Sequence, residues 1–211
     1  YRGLLALAGK NGTTHHLFAL SELLGELSLA IGQPDKAVRF FNMLGNAVDP
    51  ETKGRGLYKL AQVDLAQDKV AEAKAKFGKL AAASSNTPEL IRLKTFAEVG
   101  LAECQTLEGD AQGALNMLEA LVLKNDSSDH ELFAAIKNAQ GASYQALDQP
   151  QKALLRYLQT DLLFFTSPEA HAEALHHLSQ LWPVVGDPAR GAEARSRLVS
   201  LYASSTWANQ P

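Results

Sequence analysis

The stretch Gly32-Gln33-Pro34-Asp35-Lys36-Ala37 decides the fold, because close copies of it recur along the chain. The copies occupy residues 109–114, 148–153 and 186–191, and each lies between two amphipathic helical patterns. A Gly that ends a helix adopts a left-handed conformation, and a Pro two residues later suits the first turn of the next helix, where its missing N–H costs nothing. A helix–turn–helix unit that recurs at intervals of roughly 40 residues predicts an all-α chain of stacked helical hairpins.

The repeat becomes clear when the hairpins are aligned on the small residue that follows each turn. That residue is Ala37, Ala73, Ala114, Ala153 or Gly191. Twelve residues earlier stands a second small residue, which is Gly25, Ala61, Ala102, Gly141 or Ser179. Four residues after the aligned position stand Phe41, Phe77, Leu118, Tyr157 and Arg195. In the first four hairpins we predict that the earlier small residue is buried where paired helices touch and that the large residue belongs to the core.

This pattern resembles the tetratricopeptide repeat (TPR), in which a Leu-Gly pair and a Tyr on the first helix precede a small Ala and a Phe on the second. The best matches are Leu24, Gly25, Ala37 and Phe41 in one hairpin and Leu60, Ala61, Ala73 and Phe77 in the next. The chain departs from the family in two respects, since its spacing exceeds the usual 34 residues and no hairpin has the opening Trp. The resemblance implies an all-α, right-handed α-α superhelix, a solenoid of about five hairpins.

The predicted hairpins occupy residues 15–48, 51–83, 89–124, 129–165 and 169–203. Asp129 and Ser167 are expected to cap the helices that follow them. Residues 1–8 are expected to end a preceding helix, and Trp207 is expected to begin a further one. We therefore expect residues 1–211 to form a single TPR-like solenoid. The absence of an initial Met and the Ala-rich helices favour a piece of a longer, bacterial chain.

Charge and hydropathy argue against several classes of partner. The net charge is −3, with 20 basic and 23 acidic residues interspersed. No run of Lys or Arg is long enough to neutralise several phosphates, so nucleic acid and anionic membrane surfaces are not expected partners. The longest apolar stretches fall short of the roughly 20 residues of a membrane helix, which argues against direct membrane insertion. The single cysteine allows no internal disulfide, and the compartment stays open between cell envelope, periplasm and cytoplasm.

The residue types that carry catalysis or bind metal are poorly arranged for either role. His171, His176 and His177 have offsets that spread their rings around a helix, whereas zinc needs ligands three or four residues apart. Cys104 is expected to be a small buried hydrophobe. Carboxylates such as Glu119 and Asp161 are expected on exposed helix faces, and no glycine-rich phosphate loop is present. The sequence therefore predicts no enzyme, no cofactor and no metal site.

In the family that the chain resembles, first helices line a concave groove, and residues at their second, fifth, ninth and twelfth positions contact a bound peptide. The fifth and ninth positions fall on Glu22, Glu26, Tyr58, Gln62, Val99, Glu103, Asn138, Ala142, His176 and Gln180. The predicted partner-binding residues are Tyr58, Gln62, Asn138, His176 and Gln180. Without a Lys/Arg pair among these positions, capture of a peptide's C-terminal carboxylate is disfavoured.

The leading hypothesis is a non-enzymatic interaction or scaffold module that binds a peptide or a partner protein on its concave face. A second hypothesis is a structural segment that forms homo-oligomers by stacking its terminal hairpins, which would expose apolar edges if left uncovered. A third is a helical sensor domain that binds a small molecule between hairpins. The sequence leaves all three open.

Overall fold

The computed structural model describes residues 14–84 and 87–210, and within these ranges it has ten α-helices, one short 3-10 helix and no β-strand. The helices are α1 (Thr14–Ala30), α2 (Pro34–Gly45), α3 (Pro50–Ala66), α4 (Val70–Ala81), α5 (Pro88–Leu107), α6 (Ala111–Lys124), α7 (His130–Ala146), α8 (Pro150–Leu163), α9 (Pro168–Val184) and α10 (Pro188–Tyr202). The five predicted hairpins agree with these bounds to within three residues at each end. The all-α hairpin array is confirmed.

The turns between paired helices have the predicted chemistry. Pro34, Pro150 and Pro188 are each the first residue of a helix. A residue with left-handed backbone conformation precedes the second helix of every hairpin. In three hairpins it is a glycine, Gly32, Gly109 or Gly186, with φ of 70°, 97° and 97°. In the other two it is Asp68 or Asp148, with φ of 57° and 54°. Glycine tolerates this conformation freely and aspartate tolerates it better than most residues, so each turn can reverse the chain in a few residues.

The two predicted N-caps differ in the structure. Asp129 caps α7 as expected, because its Oδ1 accepts a hydrogen bond from the backbone N–H of Leu132 at 3.1 Å. Ser167 occupies the N-cap position of α9 and Pro168 is the first residue of that helix, as expected, but the Ser167 side chain makes no capping hydrogen bond. Ser167 contributes through its backbone carbonyl, which accepts from the N–H of His171 at 2.9 Å.

The chain divides into two compact units, residues 1–97 and residues 98–211, with the boundary inside α5. In the first unit, α1 packs on α2, α2 on α3 and α3 on α4. In the second unit the helices from α6 to α10 also pack in chain order, and α7 packs directly on α9. Among the described residues, no helix has the length and apolar character needed to span a bilayer.

The predicted core positions are confirmed. The four small residues of the first helices are all buried, as are the four large residues of the second helices, namely Phe41, Phe77, Leu118 and Tyr157. Gly141 shows why the small residue is needed, because a Cβ built there would lie 2.6 Å from two ring atoms of Tyr157. Cys104 is fully buried, as expected for a small hydrophobe.

The prediction that Asp161 lies on an exposed face is wrong. Its side chain is 5% exposed, and its Oδ1 accepts from His171 Nε2 at 2.8 Å and from Arg197 Nη2 at 2.7 Å. Burial raises the pKa of Asp161, but the hydrogen bonds from His171 and Arg197 outweigh burial and leave the pKa below its usual value. Asp161 thus ties α8 to α9 and α10, and its partners are distant in sequence.

Two expectations concern the ends of the chain. Trp207 begins a 3-10 helix, Trp207–Asn209, rather than an α-helix. The helix expected at residues 1–8 lies outside the described residues.

Candidate functional site

In the first unit, the predicted contact residues Tyr58 and Gln62 are neighbours on α3. The Tyr58 ring is half-buried between Phe77 and Phe96, with ring centroids 5.9 Å and 5.8 Å away. Its hydroxyl accepts a hydrogen bond from Gln62 Nε2 at 3.1 Å, and Gln62 is exposed. Most of the Tyr58 ring therefore packs in the core, and its hydroxyl is engaged by Gln62.

The acidic residues at groove positions of α1 are already paired. Glu22 forms an ion pair with Arg55 at 3.5 Å, and Glu26 forms one with Lys59 at 2.7 Å. Both basic residues lie on α3, the next first helix, so the charges of Glu22 and Glu26 are neutralised within the chain.

In the second unit, hydrogen bonds join three first helices side by side. The hydroxyls of Thr106 on α5 and Ser143 on α7 are 2.8 Å apart. Asn138 Nδ2 on α7 donates to the carbonyl of Ala170 on α9 at 2.8 Å. The helix α7 therefore lies between the C-terminal half of α5 and α9, and these three segments form what we call the first-helix face.

Asn138, predicted as a contact residue, is buried on this face with one of its polar atoms unsatisfied. Its Nδ2 donates to Glu173 Oε2 at 2.9 Å as well as to Ala170, while its Oδ1 is buried and has no hydrogen-bond partner within the described part of the chain. Both neighbours accept hydrogen bonds, which fixes the amide orientation. Leaving a buried acceptor unsatisfied costs about 1–3 kcal/mol, so this atom requires an explanation.

Glu173 on α9 contacts Asn138 directly, and Glu103 on α5 lies close enough to Glu173 to feel its charge; both carboxylates are half-buried. Burial, followed by the charge of Glu173, raises the pKa of Glu103 to about 8. Burial also raises the pKa of Glu173 to about 7; the hydrogen bond from Asn138 opposes this and the charge of Glu169 adds to it. No basic side chain among residues 14–84 and 87–210 forms an ion pair with either carboxylate. We call Glu103, Asn138 and Glu173 the acceptor cluster.

The last two predicted contact residues, His176 and Gln180, lie further along α9. Gln180 is exposed, but His176 is only 4% exposed, because the Trp207 ring packs against it with centroids 5.4 Å apart. Burial, followed by the charge of Arg195, lowers the pKa of His176. The exposure expected of His176 is therefore absent, and a partner could reach its ring only if Trp207 moved.

Sequence reasoning named Asn138 and Glu103 but missed Glu173. Glu173 lies six residues before the aligned small residue Ser179. Glu173 therefore falls on the second position of the first helix of its repeat. The resemblance assigns that position to the groove, so the signal was available in the sequence. The pairing of Glu22 and Glu26 with basic residues of α3 had no comparable signal, because it depends on the helix that packs alongside.

A hydrogen-bonded chain from Asp161 through His171 to Tyr202 has the residue order of a catalytic relay. His171 Nδ1 lies 2.7 Å from the Tyr202 hydroxyl. Burial raises the pKa of Tyr202, whereas an activated nucleophile needs a lowered pKa or a competent base. The arrangement thus ties three helices together and shows no sign of nucleophile activation. The described residues also contain no group of three or more His, Cys, Asp or Glu side chains placed to hold a metal ion.

An open pocket of about 340 Å³ lies between α8, α9 and α10. Most of its charged lining is already engaged, since Asp161 pairs with Arg197 and the Arg190 guanidinium lies 4.8 Å from the Trp182 ring centroid. These contacts leave the pocket few free polar groups with which to orient a small molecule.

No family model matches the chain, and no curated protein matches it. Among solved structures, it is similar to a thermophilic TPR protein of Thermus thermophilus, with 21% identity over 88% of this chain and 92% of the other, and a TM-score of 0.61. It is also similar to the TPR-like repeats of a putative kinesin light chain of Podosopora anserina, with 18% identity over 90% of this chain and 97% of the other, and a TM-score of 0.52. The chain has a TPR-like helical repeat fold, and the comparisons indicate no catalytic family.

Proposed function

We propose that this chain is a non-enzymatic interaction module that binds a peptide or a partner protein on its concave side, through the first-helix face. The observation that carries the proposal is the acceptor cluster. Two half-buried carboxylates without a basic partner and an unsatisfied amide oxygen reduce the stability of the fold. Such costs are typical of positions where a ligand completes the interactions.

The surroundings of the acceptor cluster support the same proposal. Ala142 lies one turn beyond Asn138 on α7 and is half-buried, which leaves room for an extended chain to approach the helix. Gln180 on α9 is exposed. In the TPR family that the chain resembles, the corresponding positions line the groove, which supports the proposal.

A pair of alanines provides a matched test. Ala142→Arg places a long charged side chain on the first-helix face, whereas Ala120→Arg places the same side chain on the exposed surface of the second helix α6. Peptides are selected from a random library on the full chain and their affinities measured for both variants. We expect Ala142→Arg to abolish binding and Ala120→Arg to leave it unchanged. Equal effects of the two variants would refute binding on this face.

Self-association is a second candidate, favoured by an apolar stripe on α1. Leu23 and Leu27 on α1 are 61% and 55% exposed, and their four-residue spacing places them on one side of the helix. Ile31, directly after the last residue of α1, is 59% exposed and donates its N–H to the Leu27 carbonyl, so it continues the stripe. If copies associate through this stripe, the mass in solution rises with concentration and Leu27→Glu returns it to that of one chain. The control is Leu123→Glu, because Leu123 on α6 is 89% exposed and belongs to the second unit. A constant single-chain mass would exclude this candidate.

A further inference from the structure

Acidic residues on the first helices have different surroundings in the two units. In the first unit, Glu22 and Glu26 are each paired with a basic residue of the neighbouring first helix. In the second unit, Glu103 and Glu173 have no such partner in the described ranges. The first arrangement is complete in itself, whereas the second lacks the positive charge that would balance it.

Among the described residues, the charged groups that act on these two carboxylates are themselves acidic. Glu103 on α5 is acted on by Glu173 of α9, and Glu173 by Glu169 of its own helix. From α8, the Tyr157 phenol feels the charges of both carboxylates. From α7, Asn138 gives Glu173 its one hydrogen bond through Nδ2. Like charges held this close disfavour the ionised forms until a positive charge arrives between them.

The unsatisfied atom of Asn138 adds a directional requirement. Its Oδ1 is buried and needs a hydrogen-bond donor, as do the oxygens of Glu103 and Glu173 once these are ionised. A lysine ammonium supplies three donors and an arginine guanidinium supplies five, each with a positive charge. A bare metal ion fits less well, because the described residues bring no third ligand from His, Cys, Asp or Glu.

We propose that Glu103, Asn138 and Glu173 together bind the cationic side chain, a lysine ammonium or an arginine guanidinium, of a peptide that lies along the first-helix face. This inference rests on the proposed function, since it names the chemistry of the residue that the same face recognises. The bound cation pairs with both carboxylates and, once the side chains that cover Asn138 move aside, donates to its buried Oδ1. It supplies the positive charge and the donor that residues 14–84 and 87–210 do not provide.

A dependence on pH follows, because the cation binds the ionised carboxylates. The pKa values of Glu103 and Glu173 in the unbound chain are raised to about 8 and about 7. Below these values the site is occupied by protons, and peptide binding must release them. Affinity for a basic peptide therefore increases as the pH rises through 7 and 8, and levels off above that range while lysine and arginine stay protonated.

The test uses peptides selected on the full chain from a random library and then synthesised with a fluorescent label and an acetylated N-terminus, which excludes capture of a terminal amine. Each peptide is compared with versions in which its basic residue is replaced by Nε-acetyl-lysine or norleucine, and Lys and Arg are exchanged. The variants are Glu103→Gln and Glu173→Gln. The control is Glu119→Gln on the exposed surface of α6. The Gln variants keep the shape of the side chain and remove the repulsion, so we expect them to fold.

We expect the selected peptides to share a Lys or Arg, and each Gln variant at the site to weaken binding by about tenfold or more, in keeping with the loss of a charge-assisted hydrogen bond. Acetyl-lysine and norleucine should weaken it similarly, and Glu119→Gln should not. Peptides that are blocked by Ala142→Arg but lack a shared basic residue, or are unaffected by Glu103→Gln and Glu173→Gln, would overturn this inference and leave the proposed function standing. A selection that yields no peptide sensitive to Ala142→Arg would overturn both.

Discussion

At the scale of single residues, the contact between Gly141 and Tyr157 shows how the repeat constrains its sequence. The Tyr157 ring fills the space where a Cβ on Gly141 would stand, and its hydroxyl donates to Gln145 Oε1 at 2.9 Å. Because the ring is fully buried and held at its tip, it has little freedom to withdraw. The glycine is therefore required by packing, although glycine within a helix is otherwise unfavourable.

A pair of glycine substitutions tests this interpretation. Gly141→Ala should lower the free energy of unfolding by about 1–3 kcal/mol, because the new methyl group overlaps the Tyr157 ring. Gly78→Ala in α4 should raise it by about 0.5–1 kcal/mol, because a Cβ there meets no atom within 4 Å and alanine favours the helix. Urea denaturation of both variants provides the measurement. A shift of the same sign in both would contradict the packing argument.

At the scale of helices, Asp161 and its partners tie α8, α9 and α10. Asp161 is bonded by His171 and, through two hydrogen bonds, by Arg197, and His171 reaches Tyr202. A buried network of this kind fixes how neighbouring helices dock, because removing one member leaves the others without a partner.

We expect Asp161→Asn to lower the free energy of unfolding by about 1–3 kcal/mol, a range that allows for the 42% exposure of the Arg197 side chain. The pKa of Asp161 is lowered in the folded chain, so its contribution is present above the usual value of 3.8 and disappears as the pH falls through the folded value. Thermal unfolding over acidic pH measures both effects. Glu119→Gln serves as the exposed control. Equal stability of Asp161→Asn and the control at neutral pH would show that the network does not stabilise the docking.

The helices could be predicted from sequence because their signals are local. Pro34 and Gly186, for example, act through the conformations that each residue itself permits. The environments of Asp161 and His176 could not be predicted, since each is buried by a residue more than 30 positions away, Arg197 for one and Trp207 for the other. In the acceptor cluster, Glu103 and Asn138 lie at sequence positions that the TPR pattern assigns to the groove. That no basic side chain pairs with the carboxylates depends on how the helices pack, so it could not be predicted from sequence.

At the scale of the whole molecule, the acceptor cluster couples stability to pH. The pKa values of Glu103 and Glu173 rise on folding from 4.5 to about 8 and about 7. The folded chain thus binds more protons than the unfolded chain between these limits, and stability decreases as the pH rises through this range. This dependence of stability on pH has the opposite sign to that of Asp161. Asp161 therefore governs the change of stability at acidic pH, and the acceptor cluster governs it nearer neutral pH.

The double variant Glu103→Gln/Glu173→Gln should remove most of this decrease, a difference on the order of 1–3 kcal/mol at the alkaline end. Melting temperatures of both proteins from mildly acidic to mildly alkaline pH provide the measurement. The double variant Glu72→Gln/Glu119→Gln, at two exposed carboxylates, should keep the slope of the wild type. Parallel curves for the wild type and the Glu103/Glu173 variant would show that these carboxyls do not titrate as described.

A substitution at Phe77, which is 1% exposed, tests whether the first unit can unfold locally. Phe77→Ala should cost about 3–5 kcal/mol, as expected for a buried aromatic residue. In a helical repeat each hairpin depends mainly on its neighbours, so hydrogen exchange should accelerate in α3 and α4 while the amides of α9 keep their protection. Acceleration of equal size throughout the chain would argue for a single cooperative core instead.

The reactivity of Cys104 reports local opening of the second unit. It is the only cysteine, and its thiol is fully buried on α5, so a thiol reagent can modify it only while that part of the second unit is open. The rate of modification, divided by the rate for an unfolded chain, reports how often the segment around Glu103 opens. A bound peptide should lower the rate of Cys104 modification in proportion to the fraction of chains that it occupies. This rate therefore measures binding without an engineered probe.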